Sequence, residues 1–427
     1  MLDIKFIREN TEAVKKGLKD KGSKVDLDAM LKLDNERRKV LSEVEKLKCE
    51  QNKASEEIAK LKAQKKDFES KLTQLKTSSQ KINELDQKVV EIDKKMLDLM
   101  LIIPNLAHSS VPIGPDASYN KIVKEWGELP KFNYNTKDHI ELGELLGIMD
   151  FPGSAKITGK GFSLFCGDGA KLVRALLNFM LELHVSKHGY KEIWPPALVN
   201  RDSMTNTGQL PKFEEDMYRL KDDDLFLIPT AEVPVTNIHK NDILEEDQLP
   251  IYYTAYTPCF RREAGSYGKD TKGLSRVHQF DKVEMVKFVK PETSWDELES
   301  LLANAEEVLQ LLNVPYRVVM LSTGDLSFAA SKCYDIEIWA AGSKKWLEVS
   351  SCSNFTDFQA RRGNIKFRRK NSKKAEYVHT LNGSGVAFAR LIIALIENNQ
   401  QKDGTVIIPQ VLRPYMGNQD KLIPKNV

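Results

Sequence analysis

The 427-residue sequence lacks any apolar run approaching the roughly eighteen residues that a membrane-spanning helix needs. Its first ten residues include Asp3, Lys5 and Arg8 and contain no apolar core of a secretory signal. Five cysteines are scattered along the chain without a Cys-x-x-Cys pair, so we expect neither a disulfide framework nor a cysteine-based zinc site. These absences predict a cytoplasmic protein with free thiols and no membrane association.

Several familiar ligand-binding motifs are also missing. No Gly-x-x-x-x-Gly-Lys-Ser/Thr segment occurs, which excludes a P-loop, and Gly383-Ser-Gly385 lacks the third glycine of a dinucleotide-binding loop. His184 and His188 have the helical spacing of a metal pair, but Val185 stands where a zinc protease would carry glutamate. We therefore interpret the two histidines as a structural pair.

Proline and glycine are absent from residues 28–103, where apolar residues instead follow a heptad repeat. The repeated positions are Leu33, Val40, Leu47, Ala54 and Leu61, and then Leu75, Ile82, Val89, Met96 and Ile103. The repeat lapses near residues 62–71, between two halves of similar length. The pattern predicts two long helices in an antiparallel coiled-coil hairpin, each reaching roughly 50 Å at about 1.5 Å per residue.

Beyond Pro104, Pro112 and Pro115 the helical and strand patterns are mixed. Apolar strands separated by hairpin-length loops predict a mainly antiparallel sheet flanked by helices, which is an α+β fold. The helix predicted at 386–397 is apolar on most faces and should therefore be buried. Other helices are predicted at 171–187 and 295–312, and strands at 190–194, 226–228, 251–256, 283–289, 316–321, 335–339 and 346–349.

The segment Arg261-Arg262-Glu263, which ends at Phe280 after a glycine-rich stretch, is the most informative part of the chain. It joins two apolar strands through a charged loop. Arginine can bind a phosphate through two nitrogen atoms, a carboxylate can accept from an amino group, and phenylalanine can stack on a base. The segment therefore suits nucleotide binding, although a solvated hairpin with surface charges would have the same composition.

Residues 361–374 contain eight lysines and arginines and no acidic residue, although the net charge of the whole chain is only +3. Such a cluster attracts phosphate groups. A solvated basic loop is an equally good interpretation.

Other segments carry side chains with compatible chemistry. Thr230-Ala231-Glu232 follows a predicted strand and suits a small ligand with an amino group, and Glu284 lies on the strand after the charged loop. Glu348 and Ser351 offer a carboxylate and a hydroxyl to a hard cation. Arg390 interrupts an apolar helix and needs an anionic partner, either a ligand phosphate or an internal carboxylate.

Together these segments resemble the bacterial-type seryl-tRNA synthetases, a class II family, over essentially the whole chain. Thr230-Ala-Glu232 and His379-Thr-Leu-Asn-Gly-Ser384-Gly385 indicate the serine branch, and the His-Ile-Gly-His and Lys-Met-Ser-Lys-Ser signatures of the other synthetase class are absent. Arg262 is a departure, since many relatives carry serine there. The three class II motifs correspond to the helix and strand ending at Pro196, to Phe260 through Phe280, and to Gly385 through Arg390.

The resemblance implies a role for each candidate residue. Arg261 would hold the α-phosphate and the amino-acid carboxylate, and Arg390 the γ-phosphate, as the catalytic pair. Glu348 and Ser351 would bind Mg²⁺. The implied ATP site consists of Arg261, Arg262, Glu263, Phe280, Glu348, Val349, Ser350, Ser351 and Arg390. The implied serine site consists of Thr230, Ala231, Glu232, Glu284 and Ser384.

The implied activity is a serine–tRNA ligase that forms seryl-adenylate from serine and ATP and then transfers serine to tRNA(Ser). Charging of tRNA(Sec) is left open. Residues 1–110 would form a tRNA-binding arm and residues 111–427 the catalytic domain of a homodimer. A class II synthetase for another amino acid is the nearest alternative. A coiled-coil scaffold or RNA-binding protein would explain the arm but not Arg390 or the Glu348–Ser351 cluster.

Overall fold

The computed structural model describes residues 1–264 and 272–425. The chain divides into two compact units, one formed by Leu2–Lys19 and Ser23–Pro104, the other by Met1, Asp20–Gly22 and Asn105–Val427. Within the described ranges, each helix is too short or too polar to cross a membrane.

The first unit contains the predicted helical hairpin. Its helices are α1 (Ile4–Glu9), α2 (Thr11–Asp20), α3 (Leu27–Ala63) and α4 (Glu69–Ile102). Val40 of α3 packs with Ile92 and Met96 of α4, which are heptad positions. The break falls within the lapse of the repeat, where Lys65 adopts a left-handed conformation with φ of 52°. The predicted coiled-coil hairpin is confirmed.

Ion pairs show that α3 and α4 run antiparallel. Glu36, near the start of α3, lies 2.8 Å from Lys88 of α4, and Glu43 lies 2.7 Å from Lys81. Nearer the tip, Glu57 pairs with Lys71. These exposed pairs contribute little stability individually, but their order fixes the register of the two helices.

The second unit is the predicted α+β fold. Its helices are α5 (His139–Leu146), α6 (Phe151–Thr158), α7 (Asp168–Ser186), α8 (Arg201–Thr207), α9 (Glu232–Thr236), α10 (Ser294–Leu311), α11 (Phe358–Gly363) and α12 (Phe388–Asn398). Its strands are β1 (Lys121–Trp126), β2 (Lys191–Glu192), β3 (Leu198–Asn200), β4 (Leu225–Leu227), β5 (Ile243–Glu245), β6 (Ile251–Phe260), β7 (Gln279–Val289), β8 (Tyr316–Met320), β9 (Lys332–Ala340), β10 (Lys345–Asn354), β11 (Lys366–Arg368), β12 (Ala375–Tyr377), β13 (His379–Ala387), β14 (Val406–Ile407) and β15 (Lys421–Leu422).

Eight strands form the main sheet in the order β1-β8-β9-β10-β13-β7-β6-β2. All neighbouring pairs are antiparallel except β2 and β6. The long hairpin β6–β7 and the strands β10 and β13 form its centre. Many side chains of these central strands are buried, so a polar side chain on them needs an internal partner.

Helix α10 covers one face of the sheet centre. A Cβ atom on Gly383 of β13 would lie 3.1 Å from Cγ of Leu301 on α10, so glycine allows the helix to pack closely. The neighbouring Ser384 points to the other face, where a cavity is located. Helix α12, which is buried along most of its length as predicted, begins at the edge of that cavity.

Two predicted boundaries near the site are wrong. The segment Asn382–Gly385, which lies outside the predicted strands and directly before the predicted helix, belongs to β13, and the helix begins at Phe388 rather than Val386. Strand β10 does not end near Glu348 but continues to Asn354. In both cases pairing within the sheet outweighs the weak strand preference of glycine and serine.

Candidate active site

A cavity of about 430 Å³ lies at the sheet centre, and both Arg261 and Arg390 line it. These arginines are far apart in sequence, and their convergence was the main structural expectation from the motifs. The cavity is also lined by most of the other candidate residues, namely Thr230, Glu232, Glu263, Phe280, Glu284, Glu348, Val349, Ser350, Ser351 and Ser384.

One end of the cavity carries an aromatic ring and two arginines. The Arg261 guanidinium lies 5.1 Å from the centre of the Phe280 ring, and its Nε donates to the carbonyl of Pro229. Glu263 adopts a left-handed conformation with φ of 51°, and its carboxylate lies 2.8 Å from Nη1 of Arg276. A flat group that stacks on Phe280 would therefore meet both positive charge and an acceptor.

Arg390 is held at the mouth of the cavity by backbone carbonyls. Its Nη1 donates to the carbonyl of Glu348 at 2.7 Å and its Nε to that of Ser275 at 3.2 Å. The Glu348 carboxylate lies 3.7 Å away, which supplies the internal anion expected for this arginine. About a quarter of the Arg390 side chain is exposed, so the guanidinium can also reach a ligand.

A β-bulge brings Glu348 and Ser351 to the same face of β10. The register between β10 and β9 shifts between Glu348 and Ser350, which inserts Val349 as an extra residue. Without the bulge, side chains three residues apart would point to opposite faces of the strand. The bulge thus places a carboxylate and a hydroxyl side by side on the cavity wall.

The deep end of the cavity is small and polar. Glu284 of β7 is almost completely buried and accepts from the Thr230 hydroxyl and from Nδ2 of Asn382, each at 3.2 Å. Glu232 accepts from Nε2 of Gln359 at 2.6 Å. Ser384 lines the same end, and its carbonyl accepts from the Ser350 hydroxyl. Two carboxylates and several hydroxyls suit a small ligand with an ammonium and a hydroxyl group.

The charge of one buried carboxylate, Glu284, affects the pKa of the other, Glu232. Burial, and then the nearby charge of Glu284, raises the pKa of Glu232 to about 7. Lys282, Gln359 and Asn382 oppose this rise. A bound cation would favour the ionised form of Glu232, so an ammonium group in the pocket would lower the pKa of this carboxyl.

Two candidate residues do not line the cavity. Arg262 is exposed, and its backbone nitrogen donates to the carbonyl of Asp216. Ala231 is fully buried between Thr230 and Glu232. The glycine-rich stretch after Ala264, predicted as part of the nucleotide clamp, falls on residues 265–271 and lies outside the described residues.

The amino-acid sequence matches two family models, the seryl-tRNA synthetase N-terminal domain over residues 1–107 and the tRNA synthetase class II core domain (G, H, P, S and T) over residues 212–399. A serine–tRNA ligase from Thermodesulfovibrio yellowstonii is 54% identical over 420 residues, which cover 98% of this chain and 99% of the relative. A serine–tRNA ligase from Geobacillus sp. is 56% identical over 98% of this chain and 99% of its own. The chain belongs to the seryl-tRNA synthetase family.

Solved structures agree with this membership. A seryl-tRNA synthetase from Pyrococcus horikoshii complexed with ATP superposes with a TM-score of 0.93 at 41% identity, covering 99% of this chain and 100% of that one. A cytoplasmic serine–tRNA ligase from Naegleria fowleri in complex with AMP gives 0.89 at 30% identity, covering 100% and 99%. The predictions of family, fold class and activity are confirmed, and this seryl-tRNA synthetase is an aminoacyl-tRNA ligase that acts on serine, ATP and tRNA.

Several residues of the synthetase cavity were not anticipated from the sequence. Lys282 and Asn382 lie at its deep end, and Arg276 pairs with Glu263 at the other. Lys282 could have been found, because it lies two positions before Glu284 on the same strand and therefore points to the same face. Asn382 could not be found in this way, because its segment lies outside the predicted strands.

The basic stretch at residues 361–374 is largely neutralised by acids from other segments. Arg369 bridges Glu292 and Glu376, and Arg368 and Lys370 lie near Glu245 and Asp247. These ion pairs belong to neither interpretation left open for this stretch, a phosphate-binding cluster or a solvated basic loop, because both assumed unpaired charges.

The side chains of His184 and His188 are buried, whereas their interpretation as a structural pair assumed that they are partly exposed. Nδ1 of His184 and Nδ1 of His188 are 2.9 Å apart, and Nε2 of His188 contacts Glu307. Burial lowers the pKa of His184 to about 3, so this ring stays neutral.

Proposed function

We propose that the cavity activates serine by attack of its carboxylate on the α-phosphorus of ATP. The observation that carries this proposal is the position of Arg261 and Arg390 on one cavity whose deep end holds Thr230, Glu232 and Glu284. The cavity thus has a cationic part for a triphosphate and an anionic part for an ammonium group. The predicted catalytic and binding roles stay proposals built on this geometry.

In the proposed complex the adenine stacks on Phe280, and Glu263 accepts from its amino group. Arg261 neutralises the α-phosphate and the attacking carboxylate, and Arg390 neutralises the γ-phosphate. Arg262 is exposed and lies outside the cavity lining, so we assign it to the rim, where it adds positive charge. We also assign Val349 and Ser350 to the ATP site, since both line the cavity.

We assign Mg²⁺ to Glu348 and Ser351. Magnesium keeps several waters and takes one or two protein oxygens together with substrate phosphates. The bulge in β10 offers a half-exposed carboxylate and a hydroxyl on one face, which fits this requirement. When bound, the ion would neutralise phosphate charge.

The chemistry proposed here needs no covalent enzyme intermediate and no general base. The serine carboxylate is already an anion, so the residues need only align it with the α-phosphorus and neutralise the charge that develops on the leaving pyrophosphate. In the second step, the terminal ribose hydroxyl of tRNA attacks the carbonyl carbon of seryl-adenylate, the bond between that carbon and the phosphate oxygen breaks, and the hydroxyl proton leaves together with AMP. Arg261 and Arg390 act in the first step by electrostatic stabilisation.

Selection of serine follows from the buried acceptors at the deep end. Alanine would leave a polar partner of the serine hydroxyl unsatisfied, at a cost of about 1–3 kcal/mol. We place the ammonium group against Thr230 and Glu284 and assign Ser384 and Glu232 to the same pocket. Ala231, which is fully buried next to Thr230 and Glu232, limits the size of the pocket. The small volume of the pocket excludes threonine.

The remaining predictions concern partners and location. We propose that residues 1–110 bind tRNA(Ser), that residues 111–427 form the catalytic domain, and that the protein acts as a cytoplasmic homodimer. Five unpaired cysteines are in keeping with a reducing compartment. Charging of tRNA(Sec) would follow if the arm reads the shape of a long variable arm rather than its sequence.

Pyrophosphate exchange tests the proposal. Exchange should depend on serine, should exceed that with alanine, threonine or glycine, and should be lost in Arg261→Ala and in Arg390→Ala. Arg361→Ala is a matched control, because this arginine packs on Tyr377 outside the cavity lining. Exchange that prefers another amino acid, or that survives both substitutions, would overturn the assignment.

A further inference from the structure

Lys282 occupies the polar groups that the serine ammonium is proposed to use. Its Nζ donates to the Thr230 hydroxyl at 2.9 Å and forms an ion pair with Oε2 of Glu284. The lysine side chain is only 7% exposed and the glutamate side chain 1%. A second cation could not share these partners without moving the first.

The hydrogen bonds of Thr230 make this competition definite. Its hydroxyl donates to Glu284 and accepts from Lys282 and from the backbone nitrogen of Glu232. A hydroxyl has one proton and two lone pairs, so its capacity is used up. A ligand ammonium that bonds to Thr230 must therefore replace either Lys282 or the backbone nitrogen of Glu232. Lys282 is the donor that can move, because its side chain is flexible whereas the backbone nitrogen is fixed.

The position of Lys282 on β7 determines where its charge can go. Phe280, Lys282 and Glu284 alternate along the strand and all line the cavity. Lys282 therefore lies between the aromatic ring and the buried carboxylate, about 7 Å along the strand from each. In the proposed function, this is where the serine carboxylate meets the α-phosphate.

We propose that Lys282 is a placeholder for the serine ammonium and that the displaced lysine then pairs with the serine carboxylate. The flexible lysine side chain allows the exchange without a change in the backbone. The exchange keeps Glu284 paired with a cation whether or not the pocket is filled. It also delivers a further positive charge to the reacting carboxylate only when a ligand ammonium is present.

This inference rests on the proposed function, because it uses the proposed position of serine. It goes beyond the proposed function because it assigns a role to Lys282, which is not part of the class II motifs. Its consequence is that the lysine should aid a ligand with a carboxylate and hinder a ligand that has only the ammonium and hydroxyl groups.

The test compares binding of L-serine and L-serinamide, which lacks the carboxylate charge, by titration calorimetry. In Lys282→Met, serine affinity should fall roughly 10- to 100-fold, as for loss of a charged hydrogen bond. Serinamide affinity should stay the same or rise, because the competing ammonium is gone. The ratio of serine affinity to serinamide affinity should therefore be much lower in Lys282→Met than in the unmodified protein.

Lys287→Met is the matched control. Lys287 is a buried lysine on the same strand, but it binds Glu297 at 2.8 Å and packs on Tyr252, outside the cavity lining. This variant should leave the ratio unchanged. Lys282→Gln keeps a donor for Thr230 and guards against misfolding of Lys282→Met, which thermal denaturation would reveal.

An equal loss of both ligands in the Lys282 variants, or no loss of serine affinity, would overturn the inference. The first outcome would mean that Lys282 only shapes the pocket through Glu284. Serine-dependent pyrophosphate exchange by the unmodified protein separates the two proposals. If that exchange is absent, the proposed function itself fails, whereas an unchanged ratio with normal exchange refutes only the role of Lys282.

Discussion

Glu232 links the protonation state of the pocket to serine binding. Its carboxyl is buried beside Glu284, and its pKa is raised to about 7 by burial first and by that neighbouring charge second. Lys282 supplies the opposing positive charge, and Gln359 donates to the carboxylate at 2.6 Å. A serine ammonium favours the ionised carboxyl, so serine should bind better as the pH rises through 7.

The size of the effect follows from the pKa. With a value of about 7, the ionised fraction of Glu232 rises from about 10% at pH 6 to about 90% at pH 8. If only the ionised form binds serine well, kcat/KM for serine should rise about tenfold over this range. The KM for ATP should not follow the same curve, because the proposed triphosphate site lies at the other end of the cavity.

The assay is pyrophosphate exchange at saturating ATP, with serine varied at each pH. In Glu232→Gln the slope between pH 6 and 8 should vanish, while kcat/KM stays below the plateau of the unmodified protein. Glu306→Gln, a change at a buried carboxylate of α10 outside the cavity lining, should keep the slope. A slope that persists in Glu232→Gln, or a flat profile in the unmodified protein, would refute this reasoning.

Four further outcomes are expected. Folding raises the pKa of Glu232 from 4.5 to about 7, so the stability that its protonated carboxyl contributes is full below pH 4.5 and lost above pH 7. The free energy of unfolding of Glu232→Gln should therefore increase by up to about 3 kcal/mol relative to that of the unmodified protein as the pH rises from 4.5 to 8. Denaturation at each pH measures this difference. Arg390→Gln should lower kcat of exchange roughly 100- to 1000-fold with a smaller effect on the KM for serine, and equal effects on both would contradict its phosphate role. Glu348→Gln should raise the magnesium concentration needed for half-maximal exchange about tenfold, the equivalent of about 1.4 kcal/mol, and an unchanged requirement would exclude it as a ligand. Replacing residues 35–95 with a short glycine-serine linker should spare exchange but cripple tRNA charging, and equal loss of both would refute this division of labour.

The helical hairpin was predictable because its signal is local. In a coiled coil, the position of a residue in the heptad determines whether it is buried. The lapse of the repeat at residues 62–71 corresponds to the turn that the structure has between Ala63 and Glu69. The central sheet was less predictable at its most functional strand. Asn382–Gly385 looks like a loop because glycine and serine have weak strand preferences, and only pairing with β7 and β10 makes it a strand.

The candidate residues were found by chemical type and motif, whereas their relations depend on the fold. The sequence shows a carboxylate at 348 and a hydroxyl at 351, but a regular strand would place them on opposite faces, and the bulge that brings them to the same face leaves no clear mark in the sequence.

The basic stretch at residues 361–374 shows the opposite case. Its local charge is conspicuous, yet acids distant in sequence neutralise much of it.

The order of side chains on β7 explains why one strand can serve two substrates. Phe280 and Glu284 are four residues apart, which separates them by about 13 Å along the strand, a span that an extended aminoacyl-adenylate can bridge. Since alternate residues face the cavity, only position 282 can point into the interval between them. In the proposed complex, any residue there adjoins the bond that forms between the carboxylate and the phosphate. Lys282 is paired with Glu284, the carboxylate proposed to bind the amino acid. Under the proposed exchange, an incoming ammonium group therefore displaces the lysine, and its charge then acts on the neighbouring carboxylate.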